Sequence, residues 1–478
     1  MTATMIATTS AQRLAVRAPA KVYLICLAIL LAGYAFAGKG FAYLGFPPFY
    51  IGEIVLSIGF LMLFLGGYAW YLPKLPLFPL FMIFCAIGLA RTIPYLPKYG
   101  VDAARDAVLW GYSLFALITA VLVGRSGSLV RGLLWYRKAI PAFLIFNLVF
   151  MAGFGLVAPL LPLWPGTEVS VIELRPGDVG CHLAGVGAFL LLKLHRTFPQ
   201  ARPTRRTEAL WWLGWLVILG VVACDSRAAM VTVAFVLLLI VCFKGIGLRQ
   251  AGLAAAVSIL LLGASLGSFD LPGERSRSLS VEQLLDNAGS VFSDQNASFR
   301  NAETREWRID WWDTILDYTI YGPLFWTGKG YGINLAVDDG FDTDNGKTRD
   351  PHNGHLTTLA RSGVPGIVAW IVLQLSFAAL LLRFYLKARR LRQEWWARVD
   401  LFIICYWAAF MINGSFDVFF ESPQGAIWFW SVVGFGLAAA MTQRTLFATL
   451  SAGQAAQPAY RKKLPRGSAH ALAKRGAA

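Results

Sequence analysis

The chain has 478 residues, of which 57% are hydrophobic and only 15% charged, with a mean hydropathy of +0.56. A soluble protein of this length carries about a quarter charged residues, so a water-soluble globular fold is excluded and a lipid environment is implied. The net charge of +16 raises the question of nucleic-acid binding, which the placement of the charges answers below.

Crossing a bilayer takes roughly 20 mostly apolar helical residues. The sequence predicts an all-α integral membrane protein with about twelve such runs, near 22–38, 50–70, 76–92, 106–124, 139–160, 179–194, 209–224, 226–243, 249–268, 363–386, 400–419 and 424–447. Basic Arg13, Arg17 and Lys21 precede the first run with no convincing small-residue cleavage site, so that run is expected to stay as an anchor. The predicted organisation is a cytoplasmic N-terminus (1–21), nine spans (22–269), a large, partly helical periplasmic loop (270–362), three spans (363–447) and a disordered basic tail (448–478) that is also cytoplasmic.

Basic residues accumulate on the cytoplasmic side of membrane proteins. With the N-terminus inside, 28 of the 43 lysines and arginines fall on the inner side and 23 of the 27 carboxylates on the outer, with Glu53 alone assigned to a span. Topology therefore accounts for the basic balance, with contact to anionic lipid heads as a secondary role, and no nucleic-acid partner is expected. The six cysteines lie in or beside spans without metal-ligand spacing and are expected to act as small packing residues.

The long loop is the natural home of chemistry. Its segment 303–320 predicts an amphipathic helix, with Trp307, Trp311, Ile315 and Tyr318 at three- and four-residue spacing. GKGYG (328–332) resembles a phosphate-cradling loop only loosely, lacking the Walker ending, and the acidic stretch 338–350 fails the register of a calcium loop.

Two of the five histidines fall together in PHNGHLTTLARSGVPG (351–366). An imidazole is suited to taking a proton from a sugar hydroxyl near neutral pH, which makes His352 the sharpest candidate, with Pro351 and Asn353 placed to orient it. A helix-capping or interfacial histidine would satisfy the same pattern. His355, one turn on, has no obvious third partner for a metal. Arg227 falls at a predicted outer junction of two spans, where charge topology gives no reason for a cation; the start of the eighth span there could serve a diphosphate, or Arg227 could pair with Asp225. Arg308, with Arg305 one turn earlier, lies on the tryptophan-rich helix, where a guanidinium fork suits phosphate oxygens and neighbouring carboxylates offer structural pairing instead. The aromatics around it suit either sugar stacking or the membrane interface.

Three ordered elements, DSRAA opening a span, Arg308-x-x-x-Trp312 followed by PLFWTGKGYG, and HNGHLTTLARSGVPG leading into a span, make the chain resemble the O-antigen ligase and polymerase superfamily of bacterial envelope glycan enzymes over about 175–435. The resemblance implies a C-type glycosyltransferase-like fold in the bacterial inner membrane. It also implies a metal-independent, inverting transfer of glycan from undecaprenyl diphosphate to a glycan, lipid or protein acceptor on the periplasmic face, without a cofactor. By the same resemblance His352 is the catalytic base, and Arg227 and Arg308 bind the diphosphate. Arg305, Trp312, Lys329, Asn353 and His355 are further candidate substrate contacts, as are Arg175 and His182 flanking the sixth span. Ala228 and Ala229 depart from the family, which often has glycine after the arginine, and His355 is an extra histidine. A lipid-linked glycan flippase is the rival; a transporter would usually bury ionisable groups near the midplane.

Overall fold

The computed structural model describes residues 18–197, 202–244, 299–343 and 345–461. The expected span at 249–268, the first part of the long loop and the extreme tail lie outside the described residues.

Among the described residues twelve longer helices carry the fold: α1 (Ala18–Ala37), α2 (Ile51–Leu65), α3 (Phe78–Thr92), α4 (Leu114–Ser126), α5 (Leu129–Ala152), α6 (Pro176–Leu191), α7 (Arg205–Asp225), α8 (Arg227–Lys244), α9 (Phe299–Thr319), α10 (Gly354–Arg390), α11 (Glu394–Asn413) and α12 (Pro423–Arg461). The described β structure is a short hairpin, Gly45–Phe46 with Phe49–Tyr50, and the isolated bridges Gly38–Glu173 and Leu163–Ser170. Seven helical stretches among the described residues are long and apolar enough to cross a membrane, and Val101–Gly111 with Leu114–Ser126, bent by 45°, makes an eighth. The apolar part of α1 and the whole of α2 are shorter. The chain is a multi-pass, helical membrane protein.

Local chemistry sets the helix ends. Thr204 caps α7 by accepting from the Thr207 amide, Ser226 accepts from the Ala229 amide at the start of α8, and the Asn353 side chain accepts from the amides of His355 and Leu356 at the start of α10. α10 is broken inside by Gly363 (φ +65), followed by Pro365. The run expected over 400–419 ends as a helix at Asn413, so Asp417 stands in the turn before α12. Glu53, assigned to a span, sits in the first turn of α2, where it takes the Tyr50 amide (3.1 Å) and the Tyr112 hydroxyl.

α12 packs along α4, and α11 packs among α6, α8, α10 and α12. Small residues allow these approaches: a Cβ on Gly434 would lie 2.6 Å from the Ala116 carbonyl, one on Gly185 2.8 Å from the Tyr406 ring, and one on Gly180 2.4 Å from Ala229 Cβ. Between helices surrounded by hydrocarbon, such close van der Waals packing is a main source of association.

Part of the loop forms a second core. Trp311 and Ile315 of α9 are buried with Leu335, Ala336, Leu359 and Ala360, and Trp307 and Tyr318 pack at its edge. This is the predicted stripe, turned onto the first turns of α10.

Candidate active site

The starts of α6, α8, α10 and α12 and the ends of α7 and α11 share one end of the bundle. The turn at 414–422 organises that end. Its Gly414 carbonyl receives the Gly354 amide (2.8 Å), its Phe416 carbonyl receives Arg308 Nη1 (2.9 Å), and its Val418 carbonyl receives Arg175 Nη1 (3.3 Å). Two of the candidates, Arg308 of α9 and Arg175 before α6, thereby meet the start of α10 at one short connection.

His352 stands at its centre. Nδ1 lies 3.7 Å from Asp417 Oδ1, and the Trp307 ring is edge-on at 6.0 Å between centroids. The imidazole is partly exposed, at 30% of its side-chain surface, so solvent or substrate reaches it. Asp417 Oδ1 is also 4.0 Å from Arg175. Burial works to raise the Asp417 carboxyl, but the neighbouring His352 and Arg175 outweigh it and hold it below the usual carboxylate range. Asp417 therefore presents an ionised carboxylate to the ring of His352.

Arg227 opens α8. Two residues later Ala229 is wedged against Gly180, and one turn before that Gly177 abuts Asn413 and Asp417, so the start of α8 lies at the same end as the turn.

The other candidates divide clearly. Trp312 Nε1 donates to the Pro351 carbonyl at 2.8 Å, and Asn353 is the cap of α10, so both hold the chain around His352. His355 receives Trp370 Nε1 at Nδ1 (3.0 Å), which leaves Nε2 to carry the proton and donate to the Met411 carbonyl (3.2 Å); both ring nitrogens are engaged within the bundle. His182 is buried deeper, bonded to the Tyr406 hydroxyl (2.6 Å) and 4.9 Å from the Trp428 ring centre. Lys329 is clamped by Asp338 and Asp339. The side chain of Arg305 lies outside the described residues.

GKGYG has a structural task. The amides of Lys329 and Gly330 donate to the carbonyls of Ala360 and Arg361 (2.7 and 2.9 Å), and the Phe325 carbonyl takes the Val364 amide (2.7 Å). These bonds satisfy the backbone groups that the break at Gly363 frees. A Cβ on Gly328, which has φ +56, would lie 2.6 Å from the Ala360 carbonyl, so glycine is required there.

Two features escaped the sequence reading. Asp417 counts in the sequence only as one more outer carboxylate at the end of an apolar run, and its only signal is a pair of acids in FDVFFES (416–422). Arg361, 1% exposed, bonds Asp106 (2.9 Å), Asp350 (3.0 Å) and the carbonyls of Gly330 and Ile333. It ties the segment before α4, GKGYG and the approach to His352 into one knot.

Residues 212–371 match the family model described as O-antigen ligase. The matched stretch spans Arg227, Arg308, His352 and Arg361 and stops before the 414–422 turn. No curated protein matches the chain.

Proposed function

The chain carries an O-antigen ligase domain over residues 212–371 and is placed by it in the O-antigen ligase and polymerase superfamily, and from that premise we propose that it transfers a glycan from undecaprenyl diphosphate to an acceptor hydroxyl on the periplasmic face. The reading has His352 as general base and Arg227 with Arg308 as the diphosphate-binding pair. The observation that carries it is the convergence on one turn: Arg308 on the Phe416 carbonyl, and His352 beside Asp417 one residue later.

The chemistry needs those groups together. Cleaving the glycosyl–phosphate bond leaves charge on the departing diphosphate, which fixed cations in a water-poor site stabilise strongly. The acceptor hydroxyl forms its bond to the anomeric carbon as that bond breaks, and its proton passes to the imidazole. General-base help of this kind is worth roughly 10²–10⁴ in rate. Asp417 would steady the resulting imidazolium. No step in this scheme calls for a metal or a cofactor. An orientation with both termini cytoplasmic in a bacterial inner membrane is supported by the charges at the end away from the site, where His195, Arg196 and Glu208 join α6 to α7 and Lys387, Arg389 and Arg390 close α10.

The deciding experiment replaces His352 and Arg308 by alanine, one at a time, and measures glycan transfer in membranes. Loss in both is expected; near-normal transfer in both removes the assignment. Deleting the gene and sizing surface polysaccharide then separates the two activities of the family: shortened chains indicate a polymerase, and accumulated unattached polymer indicates a ligase.

A further inference from the structure

His352 holds φ at +52, a conformation uncommon for residues other than glycine. Such a backbone persists where its neighbours over-determine it. Here each neighbour is tied by a different part of the fold. The Asp350 carboxylate is held by Arg361 Nη2 at 3.0 Å, the Pro351 carbonyl by Trp312 Nε1 at 2.8 Å, and the Asn353 side chain by the first amides of α10 at 3.1 and 3.2 Å.

Trp312 has a special place among these anchors. It lies four residues, one helical turn, beyond Arg308 on α9, so the two side chains project from the same face. One bonds the carbonyl before Asp417 and the other the carbonyl before His352.

We propose that Trp312 is a positioning residue: through the Pro351 carbonyl its indole N–H sets the separation between the Arg308 guanidinium and the His352 imidazole, with the Arg361–Asp350 pair as the second anchor. The proposal rests on the reading of His352 as the base and Arg308 as a diphosphate ligand. A rigid helical turn thus acts as the ruler between the leaving-group cation and the base. Positioning of this kind affects the chemical step more than binding, and a misplacement of about 1 Å can cost on the order of 100-fold in rate.

The test uses the full chain in membranes with an undecaprenyl diphosphate-linked oligosaccharide, following release of undecaprenyl diphosphate. Trp312→Phe keeps an aromatic ring and removes the donor. The expected result is a fall in kcat of about 10- to 100-fold, with the donor KM within about 2-fold and the thermal midpoint unchanged. Unchanged kcat overturns the proposal, and so does a raised KM at wild-type kcat, which would make Trp312 a sugar platform. Asp350→Asn, which keeps an oxygen for Arg361 but removes the charge, is the second variant, and it is expected to show a smaller loss confined to kcat. Wild-type kcat in Asp350→Asn removes the second anchor, and if Trp312→Phe fails to fold, that same result overturns the proposal. His352→Ala run alongside separates the two levels: wild-type rate there defeats the base assignment, whereas inactive His352→Ala with fully active Trp312→Phe defeats only the positioning.

Discussion

The cluster around Arg361 and the cluster around Asp178 lie at the same end of the bundle, and both bury polar groups there. Around Arg361 the guanidinium meets two carboxylates and two carbonyls. Around Asp178 the buried polar groups are less tightly bonded: Gln424 stands by Asp178 and Thr357 by Glu421, but neither contact, nor any to the Asn413 amide, has ordinary hydrogen-bond geometry. The contrast separates two uses of buried polarity. A cluster whose bonds close on themselves fixes shape, whereas one whose donors and acceptors lack well-formed bonds leaves its side chains less firmly fixed. The second cluster adjoins Asp417 and His352, where the proposed chemistry takes place, and the first lies behind it as a brace.

The sharpest way to break this contrast is to open the closed cluster. Arg361→Leu leaves the Asp350 carboxylate without its cation and Asp106 with only Arg349 (3.2 Å) and Arg105 (3.6 Å). Removing one partner of a buried charge group costs about 3–5 kcal/mol. The expected outcome is a large fall in the thermal midpoint of the detergent-purified protein, with activity lost because the approach to His352 is no longer held. A midpoint close to wild type would show that the knot is not what holds GKGYG to α10.

The two clusters also differ in how legible they were. The helical frame follows from apolar runs and from caps such as Thr204 and Asn353, which are local signals. The stripe of Trp307, Trp311, Ile315 and Tyr318 could be read because its period is that of a helix. Arg308 and His352 stood out because their motifs occur in a recognisable order. Arg361 and Asp417 did not, since each acquires meaning only from partners far away in sequence: Asp106 lies 255 residues before one and Arg175 lies 242 residues before the other. Nothing local distinguishes a buried arginine in LARSGV from a surface one. Lys329 shows the converse, for a lysine between two glycines suggests phosphate, while the fold gives it two aspartates.

The open cluster responds to pH instead. Burial, with Asp350 as a nearby like charge, pushes the Glu421 carboxyl up to about 8, against opposing help from Thr357 and Arg361. An unfolded glutamate titrates near 4.3, roughly. Between those values the folded protein holds a proton that the unfolded chain has released, so this group's contribution to stability is fully present at low pH and declines as pH rises toward 8. Glu421→Gln is neutral throughout and removes the decline. Its expected gain is roughly 1–3 kcal/mol at pH 9 and absent at pH 4, read as thermal midpoints across that range. A gain of the same size at pH 4 would mean that packing rather than the proton is responsible.

The smallest expected effect tests whether the closed region is purely a brace. Lys329 keeps 13% of its side-chain surface, and its partners differ, Asp338 being half exposed and Asp339 fully buried. Lys329→Gln removes the ammonium but does not strand Asp339, because Trp311 Nε1 still donates to it at 2.7 Å and the Tyr318 hydroxyl stands at 3.5 Å. With those donors left in place, the change costs less than stranding a buried charge does. Transfer activity should therefore stay within about 2-fold of wild type, since a change remote from the chemistry that leaves backbone geometry intact leaves the barrier intact. A loss comparable with that of Arg308→Ala would instead move Lys329 from the brace to the substrate, and the GKGYG turn with it.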